Sequence, residues 1–296
     1  MYMDHDISIG SVKDYNCGNQ SYDLKDGYNH SGTDIMLWPY SWNMMDTESI
    51  NVIASASGMI VHKFDGEFDR NCNIGTINGE ANTIVIMHAD GSLAIYAHLK
   101  KGTIINKPIG SWVEQGEPLG NVGSSGASTG PHLHFEVVDS EFNIVDPFGG
   151  KCSGRSWWKN QKPYNDTAVN HMFTHNRYPV IPECPEREKI NDSQYFFQGD
   201  KVYLSSYYRD IVPSANSAHR ILSPSKKIKF NEATNFDNKY IAYPEIFEYP
   251  LNPDAETGEW IYEIVLDGIP YEHKFIVNKG PRPPSEDLES NINEMI

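Results

Sequence analysis

Positive charge is scarce in this 296-residue chain: 24 Lys and Arg stand against 40 Asp and Glu, a formal net charge of −16. Such a balance argues against holding DNA, RNA or an anionic membrane by charge, because phosphate contacts need Lys and Arg. Apolar runs of about 18 residues, the length of a membrane-crossing helix, are absent, so no membrane insertion is expected. The first residues, Met1 to Asp6, hold no apolar stretch behind a basic one, so no secretory leader is visible. Cysteines are few, at 17, 72, 152 and 184, and none forms a C-x-x-C pair, which argues against a cysteine zinc site or a thioredoxin-like motif. The H-E-x-x-H signature is missing, and the Gly/Ser stretch Gly120–Gly130 lacks the Gly-Lys-Ser/Thr of a phosphate loop. Before residue 150 no helical apolar period of useful length occurs.

Strand signals are there instead. With 39% hydrophobic and 12% aromatic residues, the chain is globular and long enough for one large domain or two ordinary ones. Ile50–Lys63 reads as two short β runs around Gly58, and Thr83–His88 and Ser92–His98 flank Asp90-Gly91, a hairpin signal. Trp112–Val122 is broken by Gly116, Pro118 and Gly120 into short strands and turns, and His132–Val138 reads as a strand after Pro131. Residues 151–195 carry Trp157, Trp158, prolines and two cysteines without period, and are expected to form an irregular linker. Strands return at Lys201–Arg209. Trp260, Tyr262, Ile264 and Leu266 share one face, as do Tyr271, His273, Phe275 and Val277. The expected organisation is all-β and antiparallel. A domain at 1–150 is followed by the linker and an immunoglobulin-like β-sandwich at 196–280. The tail, 281–296, is expected to be mobile. Two disulfides in a secreted protein suit the even cysteine count, and of the three possible pairings Cys17–Cys72 with Cys152–Cys184, one clip in each part of the chain, is expected; free thiols in a cytosolic protein are the alternative.

Histidines gather in three stretches: His30-Ser-Gly-Thr-Asp34, Tyr96-Ala-His98-Leu99 and Gly130-Pro-His132-Leu-His134-Phe-Glu136. Asn29, Ser31, Gly32 and Thr33 form helices poorly, so His30 and Asp34 are read as sharing a face of extended chain, with Gly32 leaving room for an ion between them. His132 and His134 share a strand face. Three imidazole or carboxylate ligands with an open position is the composition of a catalytic zinc site, and imidazole with one carboxylate suits zinc better than calcium or magnesium.

The order of these stretches resembles the lysostaphin/LytM-type zinc endopeptidases. Val52-x-Ala54-x-x-x-Gly58, His88-Ala-Asp90-Gly91, Val113-Glu-Gln-Gly116-Glu-Pro-Leu-Gly120 and Gly123-Ser-Ser-Gly126 agree, and the resemblance covers about residues 28–148. It implies Zn²⁺ bound by His30, Asp34 and His134, with His98 and His132 as catalytic histidines beside the metal. A tyrosine upstream of the first ligand would help hold the oxyanion, with Tyr22 and Tyr28 the nearest. It implies hydrolysis of peptide bonds in bacterial cell-wall peptidoglycan. A monomer acting outside the cytoplasm, its leader removed, is the accompanying expectation. Gly-rich protein such as elastin is the alternative substrate, and a non-catalytic wall-binding scaffold of the same fold the alternative role.

Other stretches have plainer readings. His171-Met-Phe-Thr-His175 has ligand-like spacing but no third partner nearby, and is read as structural. Asp65, Glu67, Asp69 and Asn71 alternate like calcium ligands, yet Arg70 stands where the loop glycine belongs, so a solvated acidic turn is expected. Gly120–Gly130 is expected to rim the groove, and Trp157-Trp158 to pack beside the linker.

Overall fold

The computed structural model describes residues 2–3, 14–21, 30–73 and 80–283. Tyr22, Tyr28 and the tail from 284 lie outside the described residues. Two compact units are present, Met1–Asp166 with Ile181–Ile190, and Thr167–Val180 with Asn191–Ile296. Regular structure is nearly all β, and every strand pair but one is antiparallel among the described residues.

The N-terminal unit contains β1 (Tyr2–Met3), β2 (Thr33–Met36), a short helix α1 (Ser41–Asp46), β3 (Asn51–Ile53), β4 (Gly58–Phe64), β5 (Thr83–Met87), β6 (Leu93–Ala97), β7 (Trp112–Val113), β8 (Pro118–Asn121), β9 (His132–Val138) and β10 (Ile144–Val145). One sheet runs in the order β1-β2-β9-β6-β5-β4-β7, with β10 also on β9, and β3 pairs with β8 apart from it. The Asp90-Gly91 hairpin forms between β5 and β6. Asp90 Oδ1 accepts the Ser92 backbone N–H at 3.0 Å and its hydroxyl at 2.6 Å, and Gly91 takes φ +85°. Gly116 turns the chain between β7 and β8 with φ +83°.

Alternation along β9 decides where function can sit. Phe135 and Val137 are buried in a core with Ile60, Ile84, Ile86 and Tyr96, and Leu133 packs against it. The period of two then puts His132, His134 and Glu136 on the opposite face. Truncating a core aromatic such as Phe135 to alanine costs about 3–5 kcal/mol, so the face carrying the histidines has a firm backing.

The C-terminal unit contains β11 (Ala168–His175), β12 (Tyr195–Phe197), β13 (Lys201–Ile211), β14 (Asn216–Leu222), β15 (Ile228–Asn235), β16 (Tyr240–Pro250), β17 (Gly258–Leu266) and β18 (Ile269–Asn278). Sheets β11-β13-β16 and β12-β18-β17-β14-β15 share one core, in which Leu204 and Tyr208 of the first meet Ile221, Trp260, Tyr262 and Phe275 of the second. The expected alternation holds, with Trp260, Tyr262, Ile264 and Leu266 all buried.

Two expectations are corrected. Residues 151–195 are not irregular throughout, because Ala168–His175 forms β11 along β13. A register shift between Val169 and His171 breaks the period of two, and Asn170 and His171 dilute the apolar signature, so the strand carries little signal. The disulfides join Cys17 to Cys152 and Cys72 to Cys184, not Cys17 to Cys72 and Cys152 to Cys184. Both lie within the N-terminal unit. Residues beside Cys17 pack against those beside Cys152: Tyr15 stacks on Phe148 at 5.4 Å, and its carbonyl accepts the Cys152 N–H at 2.8 Å. The Cys184 segment returns to this unit, where Glu188 accepts the Asn43 N–H of α1 at 3.0 Å. Proximity along the chain misleads here, since each bridge spans more than 100 residues.

Candidate metal centre

β2 and β9 pair so that Asp34 lies directly across from His134, and His30 reaches the same point from the segment just before β2. His30 Nε2 is 3.0 Å from His134 Nδ1 and 3.2 Å from Asp34 Oδ1, and His134 Nδ1 is 3.1 Å from Asp34 Oδ1. The His30 and Asp34 side chains are only 9% and 10% exposed. Three potential ligand atoms thus crowd one point, where one shared cation could bind all three. Ligand bonds of 2.0 Å in a tetrahedron would separate donors by about 3.3 Å, close to the spacings found. The geometry and the N₂O donor chemistry both fit zinc. Among the described residues this is the group of His, Cys, Asp or Glu that could hold a metal.

Gly32 is required, though not for the reason its spacing suggests. A Cβ there would lie 2.7 Å from His134 Cε1 and 2.7 Å from the Phe135 carbonyl oxygen. The missing side chain admits the ring of His134, not the ion itself.

His98 and His132 stand beside the triad. Their rings are 4.6 Å apart, and His132 Nε2 approaches Asp34 Oδ2 to 3.6 Å. His98 follows β6 with φ +62°, a left-handed conformation that costs a non-glycine residue about 1–3 kcal/mol and is held by its surroundings. Its Nδ1 donates to the Ser125 carbonyl at 2.7 Å, while its own carbonyl accepts the Gly123 N–H at 3.1 Å. His132 Nδ1 donates to the Gly130 carbonyl at 2.7 Å, with Ser128 Oγ at 3.2 Å. With Nδ1 protonated in each neutral ring, Nε2 carries the lone pair. The Gly120–Gly130 stretch is therefore more than a rim. Its Ser124, Ser125 and Ser128 are buried, and its carbonyls set the tautomers of both histidines.

Burial, reinforced by the neighbouring His132, pushes His98 down to about 4. Burial also lowers His132, with Asp34 opposing. His134 goes the other way: burial resists its protonation, but the Asp34 and Glu136 carboxylates prevail and raise it to about 9. Burial opposes ionisation of Asp34, yet hydrogen bonds from His134 and His30 hold it well below the usual carboxylate range. Opposed shifts on adjoining groups mark a functional cluster.

The remaining motifs stay outside this centre. His175 is buried, with Nε2 2.8 Å from Ser205 Oγ, and His171 is exposed on the same strand. Asp65 and Asp69 spend carboxylate oxygens on the backbone N–H groups of Gly102 and Lys101. Trp158 packs on Phe135 and Phe148, whereas Trp157 is half exposed. An apolar cavity of about 410 Å³, lined by Ile35, Tyr96, Leu133 and Phe135 among others, lies behind the sheet, off the histidine face. Sequence reasoning missed the positioning groups Ser125, Ser128 and Gly130. It also missed Ser31 and Glu136, although Glu136 shares the face of His134 by simple alternation.

The sheet thus presents a His–Asp–His donor set that could hold a metal ion, flanked by two further imidazoles. Residues 29–147 match the family model described as Peptidase family M23. That match agrees with the resemblance to lysostaphin/LytM-type peptidases that the order of the motifs implies. The chain is 41% identical over 86 residues to the DD-carboxypeptidase/endopeptidase Mpg of Neisseria meningitidis serogroup B, covering 29% of this chain and 16% of that protein. It is 30% identical over 132 residues to the cell division protein DipM of Caulobacter vibrioides, covering 40% and 21%. The chain thus spans less than a quarter of the length of these curated relatives. Among solved structures, the catalytic domain of lysostaphin from Staphylococcus simulans aligns at 24% identity over 48% of this chain and 86% of that one, with a TM-score of 0.30.

Proposed function

We propose that the N-terminal unit is a zinc metalloendopeptidase that hydrolyses peptide bonds in bacterial peptidoglycan. The convergence of His30 Nε2, Asp34 Oδ1 and His134 Nδ1 within 3.2 Å of one another, beside two imidazoles, carries this reading. The match of residues 29–147 to the M23 model supports it, as does the relative named a DD-carboxypeptidase/endopeptidase. In this reading His30, Asp34 and His134 hold Zn²⁺. When bound, the ion supplies Lewis-acid polarisation of the scissile carbonyl and of water.

His98 and His132 do the proton work. Both are neutral at pH 7 by the direction of their shifts, and each offers Nε2 as acceptor while a backbone carbonyl fixes Nδ1. They take a proton from the attacking water and return it to the leaving amine. We further propose residues 1–150 as the catalytic domain and 196–280 as an accessory domain of immunoglobulin-like type, which its two-sheet core supports. The protein would act as a monomer outside the cytoplasm, in the periplasm or beyond, where two disulfides persist.

The test is a digest of purified peptidoglycan and of elastin, with and without chelator, with fragments identified by mass spectrometry. Zinc-dependent release of new amino termini from peptidoglycan is expected. Cleavage confined to elastin would move the substrate to Gly-rich protein. Stoichiometric zinc without any release would leave a non-catalytic scaffold.

A further inference from the structure

β2 begins at Thr33, paired with Phe135, so the β2–β9 ladder fixes Asp34 but stops short of His30. Two of the three donors, Asp34 and His134, come from paired strands. The third hangs on residues 30–32, outside the ladder. Ser31 bridges that gap: its hydroxyl donates to Glu136 Oε2 at 2.9 Å. The same oxygen stands 3.5 Å from His134 Nε2, the ring nitrogen turned away from the donor cluster. The Glu136 side chain is 17% exposed and the His134 side chain 13%, so this contact is largely withdrawn from water.

We propose that Glu136 is a positioning residue of the metal site, acting with Ser31. One carboxylate performs two tasks. Standing 3.5 Å from His134 Nε2, it favours the proton on that nitrogen, which leaves the Nδ1 lone pair for the cation. Through Ser31 it also ties the segment bearing His30 to β9. Because Glu136 lies on the far side of the imidazole from the donor cluster, it acts through His134 and is not itself a ligand in this arrangement. The inference rests on the metal-site reading above, and asks how that site reaches its affinity.

The test is competition for Zn²⁺ with a chromophoric chelator, run on the full chain as wild type, Glu136→Gln, Ser31→Ala and His134→Ala, alongside melting of the metal-free proteins. Glu136→Gln keeps the shape and removes the charge. It is expected to weaken zinc binding about 10–100-fold, the usual consequence of losing such a partner. Ser31→Ala should weaken it less, and the metal-free melting temperatures of both should match wild type. Wild-type affinity in Glu136→Gln, with His134→Ala binding no metal, would overturn this inference and leave the metal site standing. A wild type that binds no zinc would overturn both. Should Glu136→Gln fail to fold, Ser31→Ala alone decides: unaltered zinc affinity there overturns the tie between Ser31 and Glu136.

Discussion

Each unit holds a histidine beside a carboxylate at about 3 Å, yet the two clusters are opposites. In the C-terminal unit His219 Nε2 lies 2.9 Å from Glu245 Oε2 and its Nδ1 2.9 Å from the Tyr262 hydroxyl. Tyr208 and Ser217 hydroxyls approach Nε2 at 3.0 and 2.8 Å, and Glu245 Oε1 accepts the Thr234 hydroxyl. Donors meet acceptors around the whole ring, and His219 is fully buried. In the N-terminal unit His30, Asp34 and His134 instead bring three potential ligand atoms to one point, with two more imidazoles alongside. Burial and a carboxylate–histidine contact therefore mark function poorly on their own. The discriminating feature is whether the polar atoms satisfy one another or converge on a place where something else must stand.

The largest expected effect breaks the N-terminal cluster. His134→Ala should lose stoichiometric zinc by elemental analysis, and turnover with it. His98→Ala should keep the metal and lose about 10²–10⁴-fold in kcat/KM, the usual worth of a positioned acid–base group. Should His98→Ala shed zinc, or His134→Ala retain it, the division between ligands and proton carriers would be wrong.

The matching experiment in the other cluster should leave chemistry untouched. Glu245→Ala removes the carboxylate partner of buried His219, a loss of about 3–5 kcal/mol for one side of a buried pair. Denaturant melts of the C-terminal unit should show that loss while zinc content stays at wild-type level. A change in zinc content would mean that the two clusters are coupled.

The facing of His132 with His134, and the Asp90-Gly91 hairpin that leads β6 to His98, were legible from a period of two and turn chemistry, whereas the roles expected of these residues came from the family resemblance. The groups that aim these histidines were not legible. Ser125 and Gly130 act through backbone carbonyls, which every residue possesses, so their identity carries no signal. β11 escaped because its bulge slips the period between Val169 and His171. The cysteine partners escaped because pairing depends on which segments fold back, and Cys184 belongs to a stretch that returns to the N-terminal unit after Val180. The sharing of one core by two C-terminal sheets was readable from the alternation in β17 and β18, whereas the order of their strands was not.

The disulfides sharpen the comparison, since both lie in the N-terminal unit and none in the other. Replacing Cys72 and Cys184 together by serine should destabilise that unit by about 2–5 kcal/mol, as should replacing Cys17 with Cys152. Reductant should lower its melting transition while the C-terminal transition holds. Equal sensitivity of both transitions would contradict the assignment of both clips to one unit.

The smallest effect is a pH dependence of the C-terminal unit. Burial holds His175 below the ordinary histidine value, against the Asn191 carbonyl and Asp192, and burial together with His171 does the same for His273. In the folded unit these rings stay neutral below pH 6.5, while the unfolded chain takes up protons there. The unfolded state binds more protons in that window, so stability rises with pH. It should be complete above about 6.5 and decline as pH falls toward the depressed folded values. Denaturant midpoints at pH 7.5, 6.5 and 5.5 should therefore fall in that order. Replacing His175 and His273 by glutamine should flatten the decline, and a slope unchanged by that double replacement would assign the acid sensitivity to other groups, His171 first among them, whose ring burial also holds below the ordinary histidine value against Asp192.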